Sequence, residues 1–489
     1  MKFFSEHFFS PDNHRGTALF IYFSALVARI LMLPYFMPVY DETAYSATAL
    51  RIVETGEWFN IYGSNDLFFF PPLFKWFSAV FVLSGFERLI AVRSVAILLS
   101  SGIPAVLFLL LKKSGLNSKK ALTAAFLWIM FPGATHFSIA GQVETPFIFL
   151  ALLSFWFFVK RDETPFLNLF LSALFISASI WTKETAFGFI PVFVFIMAEK
   201  KEFANIFKWS SVTSVLVFPL LVQSFLPHSY DIFYELTNDH ITWNAVSFIQ
   251  PFVNMGILMG VTGLPEWLTV FLNVCVAAFF IYCAVFCFKK YRNIELVRFS
   301  VFSIVIFFVF FSVFPKKFDY YLLPVLLFFL VCFIFTAKDS KVFSAVFAIF
   351  VCILSFNGLY NIKSSLDINY DASVKIIRKL SAEEVPWAEV VSPTPEIFRY
   401  IAEKKGYNIK FSGIDFTSLE GRKTCMKAKD RCILNYDYYI TDDMFFEIVF
   451  CSTWPIKIEN CDIEAMKHVI NHTELILSES GLKLYRIRK

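Results

Sequence analysis

Apolar runs about 20 residues long alternate along this chain with short basic loops, and a bundle of membrane spans is the fold that carries such a pattern. The first run is TALFIYFSALVARILMLPYF at 17–36. Further runs are read at 89–111, 121–139, 146–159, 165–182, 186–198, 207–226, 266–288, 298–315, 321–337 and 341–358. About eleven spans are therefore expected, the shorter ones crossing with tilt or local thinning of the bilayer. Of 489 residues, 57% are hydrophobic and 17% charged, with 65 phenylalanines; a water-soluble core could not absorb that much apolar surface.

The loops give the chain a side. KKSGLNSKK (112–120), KRDE (160–163), AEKKEF (198–203), KKYRN (289–293) and KDSK (338–341) separate alternate spans. The positive-inside rule places them in the cytoplasm, together with the N-terminus. MKFFSEHFFSPDNHRG lacks a small-residue cleavage site and is not read as a removable signal peptide. Residues 37–88 and everything after about 359 then face outward, at the plasma (inner) membrane of a prokaryote or the ER membrane of a eukaryote.

Beyond 359 the composition changes, which divides the chain into a membrane domain, 1–359, and an extracytoplasmic α/β domain, 360–489. AEVVS (388–392), NIKFSG (408–413), YDYYIT (436–441), ELILSE (474–479) and KLYRIR (483–488) read as short strands. DASVKIIRKLSAEE (371–384) and PEIFRYIAEKK (395–405) read as amphipathic helices. Cys425, Cys432, Cys451 and Cys461 all fall here. An even number on the outer side suggests two disulfides, with three connectivities open and local pairing, 425–432 and 451–461, the simplest. Without a CxxC, and with His468 and His472 isolated, zinc is not expected.

Asp41 and Glu42 stand where the first apolar run ends. They open a stretch of helical spacing, with Ala44, Ala47, Ile52 and Val53 apolar, Arg51 and Glu54 charged, and Gly56 and Trp58 at its close. This reads as a helix lying on the membrane surface. In the plain structural reading Asp41 caps that helix and Glu42 complements its positive end. In the functional reading the pair orients or deprotonates an acceptor hydroxyl or amine. Glu144, in GQVETP, sits at another outward helix end. Lys183, in WTKET, and Lys316 and Lys317, in FPKKFDYYLLP, are outward cations that suit a lipid phosphate, or else ordinary snorkelling side chains.

Taken in order, Asp41-Glu42 with Tyr45, Glu54-Thr-Gly-Glu-Trp58, Pro71-Pro72-Leu73, Arg93, Glu144, Thr182-Lys183, and Lys317 with Tyr321 to Pro324 resemble the polyprenyl-phosphate-sugar-dependent glycosyltransferases of the GT-C fold. Protein O-mannosyltransferases and lipid A aminoarabinose transferases are the branches the chain is similar to. The resemblance implies an inverting monosaccharide transfer on the outer face, from a polyprenyl-phosphate sugar to a lipid, glycan or protein acceptor. It implies Asp41 as base, Glu42 in support and Glu144 as a second acid near the acceptor. It gives Lys183, Lys317, Arg93 and Tyr321 to the donor phosphate, and makes 42–54 and 71–85 surface helices beside the cavity. The pattern departs in DLFFFPPLFKWF, where Phe70 replaces a lysine common before the two prolines; either Lys75 or the Lys316/Lys317 pair substitutes, or the donor is held differently.

The cytoplasmic loops are too short for a nucleotide sugar or ATP, and no Walker or dinucleotide motif is present. No cofactor is required by this chemistry, a divalent cation at the acidic pair is compatible with it, and no nucleic-acid partner is expected. A transporter or flippase is the alternative. Such proteins usually bring internal repeats and mid-membrane ionisable groups. Here the charges gather at span ends apart from Arg29, and no repeat is found.

Overall fold

The computed structural model describes residues 14–33, 40–56, 58, 71–222, 255, 258–259, 261, 264–313, 319–337, 353–354, 356–358, 371–382, 389–392, 398, 401–402, 406–407, 409–413, 437–442, 471–479 and 482–488. It forms two compact units. One comprises Met1–Phe36, Phe70–His228 and Thr242–Ile362, the other Met37–Phe69, Ser229–Ile241 and Lys363–Lys489.

The first unit is helical. Its helices are α1 (His14–Met32), α3 (Leu73–Leu83), α4 (Arg88–Ser100), α5 (Gly102–Lys113), α6 (Ser118–Met130), α7 (Pro132–Ile139), α8 (Glu144–Phe158), α9 (Pro165–Thr182), α10 (Ile190–Glu199), α11 (Phe203–Leu220), α12 (Glu266–Tyr291), α13 (Glu295–Val313) and α14 (Leu323–Thr336). α2 (Tyr40–Thr55) belongs to the second unit. Among the described residues six helical stretches are long and apolar enough to cross a membrane: α1, α4 continuing into α5, α9, α11, α12 and α13. α6 and α7 make a seventh if they count as one span. Most of the run expected at 341–358 lies outside the described residues.

Two expected straight spans are broken, each with a local cause. In 121–139 the axis bends by 60° between α6 and α7. Pro132 has no N–H to give α6 and forces Phe131 into an extended conformation (φ −64°, ψ 125°). In 186–198 a 3₁₀ turn, Glu184–Phe189, precedes α10, and Pro191 stands in the first turn of that helix.

The bundle is packed for lipid. Phe23, Phe166, Phe207 and Val274 are exposed, while Ser154, Ser172, Ser179 and Arg29 are buried. That is the reverse of a water-soluble surface and is what an integral membrane protein needs. Buried polar groups bond across helices: Ser154 Oγ donates to the Ser172 carbonyl (2.7 Å), Trp209 Nε1 to Ser172 Oγ (3.1 Å) and Ser179 Oγ to the Phe147 carbonyl (2.8 Å). The Arg29 guanidinium donates to Ser101 Oγ at 3.1 Å. Gly102 lets α5 approach α8 closely, since a Cβ there would collide with the Phe149 ring.

Charges close the loop end of the bundle. Arg161, in the loop between α8 and α9, donates to Glu202 (2.9 Å), ahead of α11, and to Glu295 (2.7 Å), the first residue of α13. Lys200 also pairs with Glu295, and Arg298 bonds Glu199 at 2.6 Å. Arg161 is 2% exposed. Its removal takes the cation from Glu202 and one of two cations from Glu295, a larger loss than that of a surface pair.

The second unit carries a five-stranded sheet, β1 (Glu389–Ser392), β2 (Lys410–Gly413), β3 (Tyr438–Asp442), β4 (Thr473–Glu479) and β5 (Leu482–Ile487), in the order β2-β1-β3-β5-β4. β2, β1 and β3 run parallel and β5 and β4 are antiparallel. All five strands fall where the sequence places them. Ile376, Ile377 and Leu380, from the helical stretch 371–382, pack with Val390, Tyr438, Ile440 and Leu484 as its core. The four outer cysteines lie outside the described residues. α2 ends at Gly56, which adopts φ +70° and returns its N–H to the Ile52 carbonyl (3.0 Å), the conformation a glycine enters freely.

Arg161→Ala is expected to lower the unfolding free energy by about 3 kcal/mol, read as a loss of thermal stability in detergent. The hydrogen bond from Arg161 holds the Glu202 carboxyl below its usual range. That contribution is complete above the ordinary carboxylate pKa of about 4 and fades as pH falls through the lower folded value. The gap between wild type and Arg161→Ala should therefore narrow only below about pH 4.

Candidate functional site

α8 and α9 are antiparallel neighbours, so the start of one lies beside the end of the other. Glu144 is the first residue of α8, with Pro146 in a turn whose N–H groups need no helical acceptor. Lys183 follows α9 in an extended conformation (φ −152°, ψ 128°) before the 3₁₀ turn begins at Glu184. The Ser179–Phe147 bond fixes the two ends against each other.

This geometry joins two residues that are 39 positions apart. Lys183 Nζ lies 3.5 Å from Glu144 Oε1, the two side chains 3% and 1% exposed. It lies 3.7 Å from Glu184 Oε1 and 5.4 Å from the centroid of the Tyr321 ring. That ring stacks on Phe311 at 5.1 Å with an interplanar angle of 3°. Both ion-pair distances exceed the 2.7–2.9 Å, roughly, of a charge-assisted hydrogen bond, so the ammonium is shared by the two carboxylates rather than bonded tightly to one. Trp181, two residues before Lys183, meets Trp76 of α3 at 5.4 Å. Lys75, beside Trp76, is 4% exposed. Arg93 is buried on α4 within electrostatic reach of His136 on α7.

Of the residues singled out by sequence, the structure brings Glu144, Lys183 and Tyr321 together. Asp41 and Glu42 fall in the first turn of α2, in the other unit. Glu42 is fully buried and shares a face with the buried Tyr45, Ala49 and Ile52. The side chain of Asp41 lies outside the described residues, as does Lys317. Sequence reasoning passed over Glu184 and the Trp76–Trp181 pair. The signal for Glu184 was present, as a carboxylate directly after the lysine. Its approach to that same lysine depends on the extended backbone at Lys183. Among the described residues, no group of three His, Cys, Asp or Glu side chains stands close enough to hold a metal ion.

Comparison with known proteins follows this geometry. Residues 70–225, which include α3 to α11 and hence Arg93, Glu144 and Lys183, match the family model described as dolichyl-phosphate-mannose-protein mannosyltransferase. The structure superposes on ArnT of Cupriavidus metallidurans in the apo state with a TM-score of 0.57, at 12% identity over 96% of both chains. The same enzyme bound to undecaprenyl phosphate gives 0.57, at 11% identity over 96% of this chain and 97% of that one. The apo oligosaccharyltransferase of Archaeoglobus fulgidus gives 0.52, at 13% identity over 87% and 70%. This chain has the GT-C glycosyltransferase fold. Comparison with curated protein sequences yields no match. The structural likeness spans nearly the whole chain at low identity, so it fixes the fold, while the family match adds the segment that carries the buried ion pair.

Lys183→Met should leave Glu144 without its ammonium in an apolar setting and cost about 3 kcal/mol. Adding Glu144→Gln should recover at least ~1 kcal/mol of that loss. A double-mutant cycle on thermal unfolding in detergent checks the coupling, and additive losses would show that the pair is not energetically joined.

Proposed function

We propose that this protein transfers a monosaccharide from a polyprenyl-phosphate donor to an acceptor on the extracytoplasmic side of its membrane. The observation that carries the reading is a buried carboxylate–ammonium pair, Glu144 with Lys183, inside the segment that matches the mannosyltransferase family, within a GT-C fold.

The chemistry suits an apolar site at a membrane surface. The donor brings its own leaving group. Attack by the acceptor oxygen or nitrogen at the anomeric carbon forms the new glycosidic bond as the carbon–oxygen bond to the lipid phosphate breaks. The phosphate leaves with that electron pair, and cations at its place stabilise the growing charge. A carboxylate on the opposite side takes the acceptor proton, and attack from that side inverts the anomeric centre. Asp41 is assigned as this base, with Glu42 in support and Glu144 as the second acid beside the acceptor. Arg93 and Lys317 are assigned to the phosphate. Lys183, which also faces Glu144 and Glu184, and Tyr321 beside it are assigned to the phosphate as well. No cofactor takes part in these steps. The acceptor is a lipid, glycan or protein hydroxyl or amine, and the C-terminal unit is assigned to acceptor selection.

Purified protein in lipid nanodiscs, given radiolabelled polyprenyl-phosphate monosaccharides and a membrane extract, tests the reading. Wild type should release lipid phosphate and label an acceptor. Asp41→Asn should lower kcat by about a hundredfold or more while leaving the fold intact. Lys317→Ala should raise the donor KM by about tenfold, with a smaller effect on acceptor KM. Unchanged turnover in Asp41→Asn would remove that carboxylate from the mechanism. Donor flux across the bilayer without any labelled product would replace transfer by transport.

A further inference from the structure

The charges at the loop end of the bundle divide into two unlike halves. Around the α8–α9 and α10–α11 loops acids and bases pair: Arg161 with Glu202 and Glu295, Lys200 with Glu295, and Arg298 with Glu199. The other half is built from the α5–α6 turn and the ends of α12 and α14. Lys120 Nζ reaches the Ala337 carbonyl, just past α14, at 3.5 Å. The Tyr291 ring, closing α12, meets Phe335 of α14 at 5.5 Å. The stretches 112–120 and 286–293 hold seven cations and no carboxylate. Lys113 reaches across to Glu163 at 2.7 Å. Among the described residues, Lys112, Lys119, Lys289 and Arg292 pair with no carboxylate. KDSK, the next loop in sequence, adds two lysines against one aspartate.

Helix chemistry accounts for part of this charge. Lys112 and Lys113 lie in the last turn of α5, and Lys289 and Lys290 in that of α12, where a cation suits the negative helix end. Each such end carries about half an elementary charge, so the ends of α5, α12 and α14 offset about 1.5 of the seven cations. Lys119 and Lys120 run against the rule. They stand in the first turn of α6, whose cap is Asn117, the side chain accepting from the Lys120 N–H at 2.9 Å. That is a positive helix end with no acid in its first turn. α8 and α13 open on Glu144 and Glu295 instead. Two cations at the wrong helix end call for an anion from outside the chain. The neighbouring surface says what carries that anion. Ile281, Val285, Lys289 and Arg292 follow at helical spacing along one face of α12, Arg292 being its still helical C-cap (φ −54°, ψ −22°). Ile281 and Val285 are 52% and 48% exposed, and Lys289 and Arg292 are exposed beyond them. An apolar face that ends in cations matches a phospholipid, acyl chain first and phosphate last.

We propose that Lys112, Lys119, Lys120, Lys289, Lys290 and Arg292 form a binding surface for the phosphates of anionic phospholipids, in the leaflet on the basic-loop side. The proposal does not depend on the transfer reading. The lysine ammonium groups and the Arg292 guanidinium donate to headgroup phosphate oxygens, while the acyl chains lie on the apolar face of α12. Bound lipid then bridges the α5–α6 turn to the ends of α12 and α14. It fastens the half of the loop end that Arg161 does not reach.

The experiment uses the full chain, delipidated in a neutral detergent, with bound lipids counted by native mass spectrometry during titration. The probes are phosphatidylglycerol, cardiolipin, phosphatidylcholine and inorganic phosphate. Lys289→Gln with Arg292→Gln is set against Lys201→Gln with Lys208→Gln, which removes the same charge from exposed positions on the other half. Wild type is expected to bind both anionic lipids about tenfold more tightly than phosphatidylcholine, or better. The Lys289/Arg292 variant should lose about thirtyfold in that affinity, the usual worth of two basic residues near an anionic surface. The Lys201/Lys208 variant should lose less than about threefold. If the Lys289/Arg292 variant does not melt like wild type, Lys112→Gln with Lys119→Gln takes its place under the same expectation. Equal losses in the two halves would overturn the proposal in favour of diffuse surface charge. Inorganic phosphate competing as well as lipid would overturn it in favour of a soluble anion. Unchanged affinity in the variant, or no preference for anionic lipid in wild type, would overturn it by leaving these cations to the helix ends alone.

Discussion

A carboxylate buried in an apolar bundle has to be compensated on the spot, and much of the candidate site follows from how Glu144 meets that demand. At 1% side-chain exposure it cannot turn to solvent. Compensation comes from Lys183, at the far end of the neighbouring helix. For its ammonium to arrive, α9 has to stop at Thr182 and the backbone at Lys183 has to extend. The 3₁₀ turn that follows carries Glu184 to the same ammonium. Tyr321, arriving just before α14, supplies its ring face to the same cation and is itself held flat against Phe311 of α13. One electrostatic requirement thus gathers α8, α9, α13 and the approach to α14.

The opposite end of these helices is fixed by a different arrangement of the same forces. Arg161 sits between Glu202 and Glu295 at 2.9 and 2.7 Å, with its remaining N–H groups directed to the Phe158 carbonyl as well, so its donors are largely satisfied. That is a closed network, and it has the marks of a fastener. Around Lys183 the distances are longer. Both clusters are buried and ionic. What separates them is reach: the Arg161 network bonds at charge-assisted hydrogen-bond distances, and the ion pairs of Lys183 with Glu144 and Glu184 are longer.

The spans and the outer sheet were legible in the sequence because each rests on a repeat a linear reading can see. Hydropathy over about 20 residues marks a crossing, and alternating short apolar runs such as ELILSE and KLYRIR mark strands that pair in the sheet. The bend at Pro132 was written in the sequence too, yet a hydropathy reading passes over it, since proline lowers helix continuity without lowering apolarity. The site was legible by residue type and not by partnership. Glu144, Lys183 and Tyr321 were each found as a charge or ring at a helix end. That Glu144 and Glu184 share Lys183 depends on the register of α8 against α9, set by contacts such as Ser179 to the Phe147 carbonyl. No linear pattern encodes that register. Glu42 was likewise visible as a charge, while its burial on one face with Tyr45, Ala49 and Ile52 emerges only when the helical faces are laid out.

The extent of the family match bears on how such a site would diversify. Residues 70–225 contain Arg93, Glu144 and Lys183, and also Gln142, Thr145 and Glu184. They leave out Asp41, Lys317 and the whole C-terminal sheet. Under the proposed transfer, the matched segment holds Arg93 for the lipid phosphate and Glu144 beside the acceptor, while Lys317, also assigned to the phosphate, lies outside it. The base and the outer sheet meet the acceptor, whose chemistry is free to differ. A hydrogen-bonding subsite for a sugar constrains several side chains at once, because each unmet acceptor carries its own cost. A base needs one carboxylate at the right distance and pKa. Under the proposed transfer, then, the donor side tolerates least change, and the acceptor is to be sought through Asp41 and the C-terminal unit.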